Sequence, residues 1–529
     1  MTTTAGPGVA ARASSIVAMA AAAYAAVLLA RYVYPPYVPR YRIESVLMIF
    51  VAAGAAAALA RAPARREEGT PIAHFTAAHV ALIAGLFAAA TFVLYRSALD
   101  VGLLSDDFVL ADWARRRQWV HLAETGFVRP MAPLFWAALA YLPADFDRTV
   151  HAANLGLHAL NAALVVALGG RLRLRREQAL AAGALFLTFP ALTEAVVWAS
   201  GVQDVLMTTL ALVAVLAALR AGDSVAWAGA AVGATALALA VKETSVVVPA
   251  LAGIVCWASG PHPGRRRHHK TLAVMAAIVV AYAAYRVSAG VPAAYGQGVS
   301  RYFLKQLIVE PFAALGAPWS AVWMRTHPLQ SVGRAYLILG PLAVGFMAWR
   351  RDALGLKGAA TAAAWVLLAV LPVFSLFHVT PDLQGSRYLY LPAVGFSVLL
   401  AVLVGDVAAR FPRRAAAPVF AAALLALVLP SIVAVRIEAI RWNDAARVRD
   451  RMLATLDGQA LSRCGVLTAE GLADNVAGAY VFRNGLSEAV AARGGEAADR
   501  SPGQEPCRVI WLEGSSSVQI LTSSEPVKP

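Results

Sequence analysis

Charge is what this sequence has least of. Only 15% of its 529 residues are Asp, Glu, Lys or Arg, where soluble domains carry about a quarter. With 59% of the residues apolar and a mean hydropathy of +0.62, there is too little polar sequence to coat a soluble globule. There is also far too much apolar sequence for a disordered chain. The chain has 3 cysteines, which excludes a disulfide-built scaffold. A cleavable signal is missing as well. The first apolar run, about Ala10 to Leu29, is longer than an h-region and has no small-residue cleavage site before Tyr34-Pro35-Pro36. No internal repeat is visible.

What is present is a succession of apolar runs, each long enough to cross a hydrocarbon core roughly 30 Å thick. They fall near 14–34, 43–60, 74–95, 150–169, 178–199, 204–220, 225–241, 245–259, 271–288, 335–349, 358–378, 388–408 and 415–434. The expected fold class is therefore an all-α polytopic membrane protein of about 13 transmembrane helices. The expected organisation is a multi-span domain over 1–435, with its large outer loop near 96–149, and a small α/β extracytoplasmic tail over 436–529 with a disordered end.

The net charge of +15 does not point to nucleic acid. The basic residues sit in short clusters between apolar runs: "RAPARR" (61–66), "RLRLRR" (171–176), "GRRRHHK" (264–270), "WRRDALGLK" (349–357) and "ARFPRR" (409–414). That is the positive-inside pattern of cytoplasmic loops. Counting crossings from these clusters places most of the other polar motifs together on the outer side. The Ala- and Arg-rich composition suggests a high-GC bacterium, and so a cytoplasmic (inner) membrane with an outward-facing site.

Ionisable groups inside or at the edge of spans are costly, so each calls for a reason. The stretch "LLSDDFVLADWARRRQW" (103–119) carries Asp106 and Asp107 side by side. Neighbours in sequence cannot share a helix face. One carboxylate can therefore cap a helix start while the other faces a cavity and takes a proton from an acceptor hydroxyl. "HAANLGLHALNA" puts His151, Asn154, His158 and Asn161 within about 80° of arc on one helix. His158 and Asn161 read as interhelical hydrogen-bond partners; His151, near the outer end, reads as facing a site. Glu194, Asp204, Lys242 and Glu243 cluster at outer ends. They form either mutual salt bridges or a site in which the lysine holds phosphate and the carboxylates hold hydroxyls. "GSRYLYLP" places Arg387, Tyr388 and Tyr390 at a helix start, where an arginine and a helix N-terminus together make a phosphate site. Cys256 lies mid-span as packing, while Cys464 and Cys507 in the tail are expected to form a disulfide. No cofactor is required by these motifs. A divalent metal ion stays open, but no second ligand set of suitable spacing accompanies His151.

Taken in order, "DDFVLADW", "RPMAPLFW", "HAANLGLHALNAALV", "FPALTEAVVWASGVQDVL", "VKETSVVVPAL" and "SRYLYLPAVGF", followed by "RWNDAARVRD", resemble the GT-C glycosyltransferases. The likeness is closer to the membrane half of the transmembrane tetratricopeptide-repeat O-mannosyltransferases and their bacterial relatives. It implies an inverting transferase that uses a polyprenyl-phosphate sugar donor at the outer face. Asp106 is then the base that activates the acceptor. Asp107 stands where the protein O-mannosyltransferases have Glu. Arg387 would hold the donor phosphate, with Lys242 and Arg129 as helpers, and Glu194, Asp204, Glu243, His151, Tyr388 and Tyr390 would bind substrate. The tetratricopeptide array is missing, so the acceptor stays open among protein, lipid and glycan. The competing reading is a transporter or lipid flippase, which would show inverted repeats and polar groups near mid-bilayer.

Overall fold

The computed structural model describes residues 75–119, 127–142, 144–260, 264–289, 306–307, 310–316, 353–374, 379–380, 382–409, 411–456, 466–470, 475–494, 506–512 and 517–522. The runs expected near 14–34, 43–60 and 335–349 lie outside these residues, as does Cys464 and with it the expected disulfide.

The spine of the bundle is α1 (Ala77–Tyr95), α4 (Phe146–Arg171), α5 (Arg176–Leu187), α7 (Val202–Ala218), α8 (Val225–Val241), α9 (Val248–Ser259), α10 (Arg265–Ser288), α12 (Ala353–Val370), α13 (Tyr390–Ala408) and α14 (Arg413–Thr455). Among the described residues, six helices are long and apolar enough to span a bilayer, or up to seven if a pair bent by 50°, 176–187 with 190–197, is one span. This is an integral membrane protein; where described, the expected runs from 150 to 434 fall on helices, the run 178–199 on a pair bent by 50°.

Helix α4 is central, packing against α1, α5 and α7. Its inner face alternates polar residues with small ones such as Ala159, Ala162 and Ala163, which let backbones approach closely. Helix α13, almost entirely buried, packs on α5 and α12.

Between α5 and α7 the chain unwinds. A 3-10 turn at Pro190–Leu192 leads into a single α-turn, α6 (Thr193–Val197), and a second 3-10 turn at Ala199–Gly201. Broken helices are tolerated at membrane depth only if their freed carbonyls find donors. Here Asn154 supplies them: its side-chain amide donates to the carbonyls of Ala195 (2.9 Å), Val196 (2.9 Å) and Trp198 (3.3 Å). Glycine at 201 is a packing requirement, since a Cβ there would overlap the Ala195 backbone.

Two short helices precede α4: α2 (Asp106–Arg115), with both aspartates in its first turn, and α3 (Met131–Leu139), which is too short to span. A further short helix is α11 (Glu310–Gly316).

The chain's last part differs from expectation in two ways. Helix α14 is continuous for 43 residues, so the boundary expected at 435 falls inside it. The end expected to be disordered supplies a strand: β1 (Val466–Glu470) pairs parallel with β4 (Pro506–Leu512), which pairs antiparallel with β5 (Ser517–Thr522). The β5 sequence "SVQILT" is rich in β-branched residues, which favour strands. A small hairpin, β2 (Asn475–Val476) with β3 (Ala479–Tyr480), and α15 (Leu486–Gly494) complete the tail.

Candidate active site

Ser105 opens α2 with a backbone of φ 51° and ψ −121°, a conformation that non-glycine residues rarely adopt. It is held there by its surroundings. Its amide donates to the Val481 carbonyl at 3.0 Å. The Arg449 guanidinium, from α14, donates to the carbonyls of Val101 (2.8 Å) and Leu103 (2.6 Å). The Trp198 indole donates to Leu104 at 3.1 Å.

The two aspartates diverge at this helix start. Asp107 is fully buried and accepts the backbone amides of Leu104 (2.8 Å) and Ser200 (2.6 Å), tying the α2 start to the unwound segment. Asp106 is partly exposed and accepts a 2.6 Å bond from the Asn484 side chain. The pair is thus split: Asp107 is tied between two backbone segments, Asp106 lies partly exposed, and no side-chain hydrogen bond caps α2.

Burial pushes the Asp107 carboxyl from the ordinary 3.8 up to about 8, against the downward pull of its amide donors. A carboxyl raised by folding stabilises the fold fully below its unfolded value and loses that contribution as pH climbs through its folded one. The thermal midpoint of the purified protein should therefore fall between pH 5 and pH 9, and Asp107→Asn should flatten that fall. Equal slopes in the two proteins would remove Asp107 as its source.

Each cation expected to meet a phosphate is paired with a carboxylate. Arg387 lies 2.5 Å from Glu194, whose second oxygen accepts the Arg387 amide (3.2 Å) and the Ser386 hydroxyl (3.3 Å). Lys242 lies 2.6 Å from Asp204, both buried. Arg129 forms a two-bonded pair with Glu243 and donates to Gln203 at 2.7 Å. The Arg387 and Lys242 pairs adjoin through one aromatic ring. Tyr388 has the Arg387 guanidinium 5.0 Å and the Lys242 ammonium 5.3 Å from its ring centroid. Trp198 and Tyr480 complete an aromatic surround for Arg387, at 5.1 and 5.6 Å. Burial, then the neighbouring Glu194, pushes the Tyr480 hydroxyl up to about 12, so it is a neutral donor. It sits 2.8 Å from Arg387 and 3.3 Å from Glu194.

The structure therefore brings Asp106, Asp107, Arg129, Glu194, Asp204, Lys242, Glu243, Arg387 and Tyr388 to one end of the bundle. His151 reaches the same region from below; its Nε2 lies 3.1 Å from the Gly102 carbonyl, and the ring is fully buried. Tyr390 does not join. Its hydroxyl is 2.7 Å from His158 Nδ1 and accepts from Asn161 at 3.2 Å, deep among helices. It faces into the bundle because it begins α13, one turn beyond Arg387. Among the described residues, no three His, Cys, Asp or Glu converge closely enough to hold a metal ion.

No family model and no curated protein matches the chain. Solved structures do, three chains in all. One is the crystal structure of ArnT from Cupriavidus metallidurans in the apo state, matched over 83% of this chain and 94% of that one, with 18% identity and a TM-score of 0.37. The roles of the site residues are accordingly read from this chain alone.

Sequence reasoning did not find Trp198, Tyr480, Asn484 or Arg449. Trp198 and Arg449 lie inside the motifs "VVWASG" and "RWNDAARVRD", but nothing local signals their partners. Tyr480 and Asn484 belong to a tail with no recognisable pattern.

Proposed function

We propose that the protein is an inverting GT-C-type glycosyltransferase. It moves a sugar from a polyprenyl-phosphate donor to an acceptor hydroxyl at the outer face of the membrane. The carrying observation is the convergence itself: a partly exposed carboxylate at a fixed helix start lies at the same end of the bundle as three cations, two of which face one aromatic ring. A transporter reading has no use for that gathering at one end of the bundle.

On this reading Asp106 takes the acceptor proton as the acceptor oxygen bonds to the anomeric carbon. The bond from that carbon to the phosphate oxygen breaks, and its electron pair leaves with the polyprenyl phosphate. Phosphate is already a good leaving group, so cationic stabilisation matters more than acid catalysis. Arg387 provides it first, with Lys242 and Arg129 in support. The incoming phosphate must share Arg387 with Glu194, which tunes donor affinity downward and keeps the buried cation compensated between turnovers.

Two measurements test the reading. The reconstituted protein should transfer label from a radiolabelled polyprenyl-phosphate hexose, and deletion of the gene should remove a glycan detectable by mass spectrometry. Unchanged glycans, together with no transfer from any polyprenyl-phosphate sugar supplied, would reject it.

A further inference from the structure

We propose that the tail segment Ala479–Gly485 is a working part of this site, with Asn484 as the residue that positions Asp106. The inference rests on the transferase reading and adds to it a component far away in sequence.

Three contacts fasten the segment to the α2 start. The Ser105 amide donates to Val481 (3.0 Å), the Asn484 amide donates to the Ser105 hydroxyl (3.2 Å), and the Phe108 and Phe482 rings stack at 6.0 Å. Gly485, at φ +81°, lies so close that a Cβ would overlap the Ser105 carbonyl oxygen. The backbone of Asn484 is therefore fixed by the same residue whose unusual conformation aims α2. Its side-chain amide then donates to one oxygen of Asp106 at 2.6 Å. A carboxylate held on one oxygen cannot rotate freely, and its other oxygen is left to accept a proton in a set direction. Four residues earlier in the same segment, Tyr480 contacts Arg387 and Glu194. One short stretch thus touches both the proposed base and the proposed phosphate cation.

Asn484 is exposed, so replacing it should leave folding intact and act on turnover. In the full-length protein Asn484→Ala is expected to lower kcat about 10- to 100-fold, with donor KM and the unfolding midpoint unchanged. Asn484→Asp keeps the shape, loses the donor and sets a like charge beside Asp106; it should fall further. Asn484→Ser, with a shorter donor, should recover part of the loss. The outcomes separate the two readings. If Asp106→Asn is inactive while all three Asn484 variants turn over at the native rate, Asn484 has no positioning role and the transferase reading stands. If kcat falls only in step with the unfolding midpoint, the residue is structural and the inference fails. If Asp106→Asn itself keeps the native rate, the transferase reading fails first.

Discussion

Asp106→Asn is expected to fold as the native protein does and to lose about 10²- to 10⁴-fold in sugar transfer, the usual worth of a positioned general base. The change is isosteric and the residue is partly exposed, so burial and packing are hardly altered. The amide can still meet Asn484 through its oxygen but cannot take a proton. Donor binding should persist, because the cations lie elsewhere, and initial rates with and without saturating donor separate the two effects. The contrast with its neighbour is the sharper test. Asp107 is held by the backbone amides of Leu104 and Ser200 and is sealed from solvent, so Asp107→Ala should act on stability before chemistry. If Asp106→Asn transfers sugar at the native rate, the base is another group.

Arg387→Ala should be the most damaging single change at the proposed phosphate site, for two separable reasons. It removes the cation in contact with Glu194, Tyr388, Trp198 and Tyr480, and it strands Glu194 in a buried position. Breaking one side of a buried pair typically costs about 3–5 kcal/mol, so the unfolding midpoint should drop visibly. Adding Glu194→Gln should restore much of that stability without restoring transfer, because the cation is still absent. Arg387→Lys should recover donor affinity only in part, since an ammonium lacks the planar fork that meets both a carboxylate and a phosphate. Full activity in the doubly substituted protein would show that Arg387 serves the fold alone.

How far the sequence revealed this arrangement depended on the kind of signal. Apolar runs of bilayer length are a one-dimensional property, and where described the runs from 150 to 434 fall on helices, though the run 178–199 unwinds part-way. Glu194, Asp204, Lys242, Glu243 and Arg387 stood out because ionisable groups at span ends need partners. The sequence left open whether those partners were each other or a ligand, and the structure pairs Glu194 with Arg387, Asp204 with Lys242, and Glu243 with Arg129. Tyr390 shows the limit. Two residues from Tyr388, it shares the same apparent interfacial setting, but helical rotation sends it into the bundle to meet His158 and Asn161. The tail was opaque for a different reason. Tyr480 and Asn484 are ordinary in composition, and their meaning comes from contacts that no spacing rule encodes.

Asn484 stands 378 positions after the aspartate it touches. A constellation assembled from such distant stretches cannot exist on a half-made chain. During synthesis Asp106 and the helices that carry the cations leave the ribosome long before Asn484. A nascent chain that has not yet reached Asn484 therefore lacks the contact that holds Asp106.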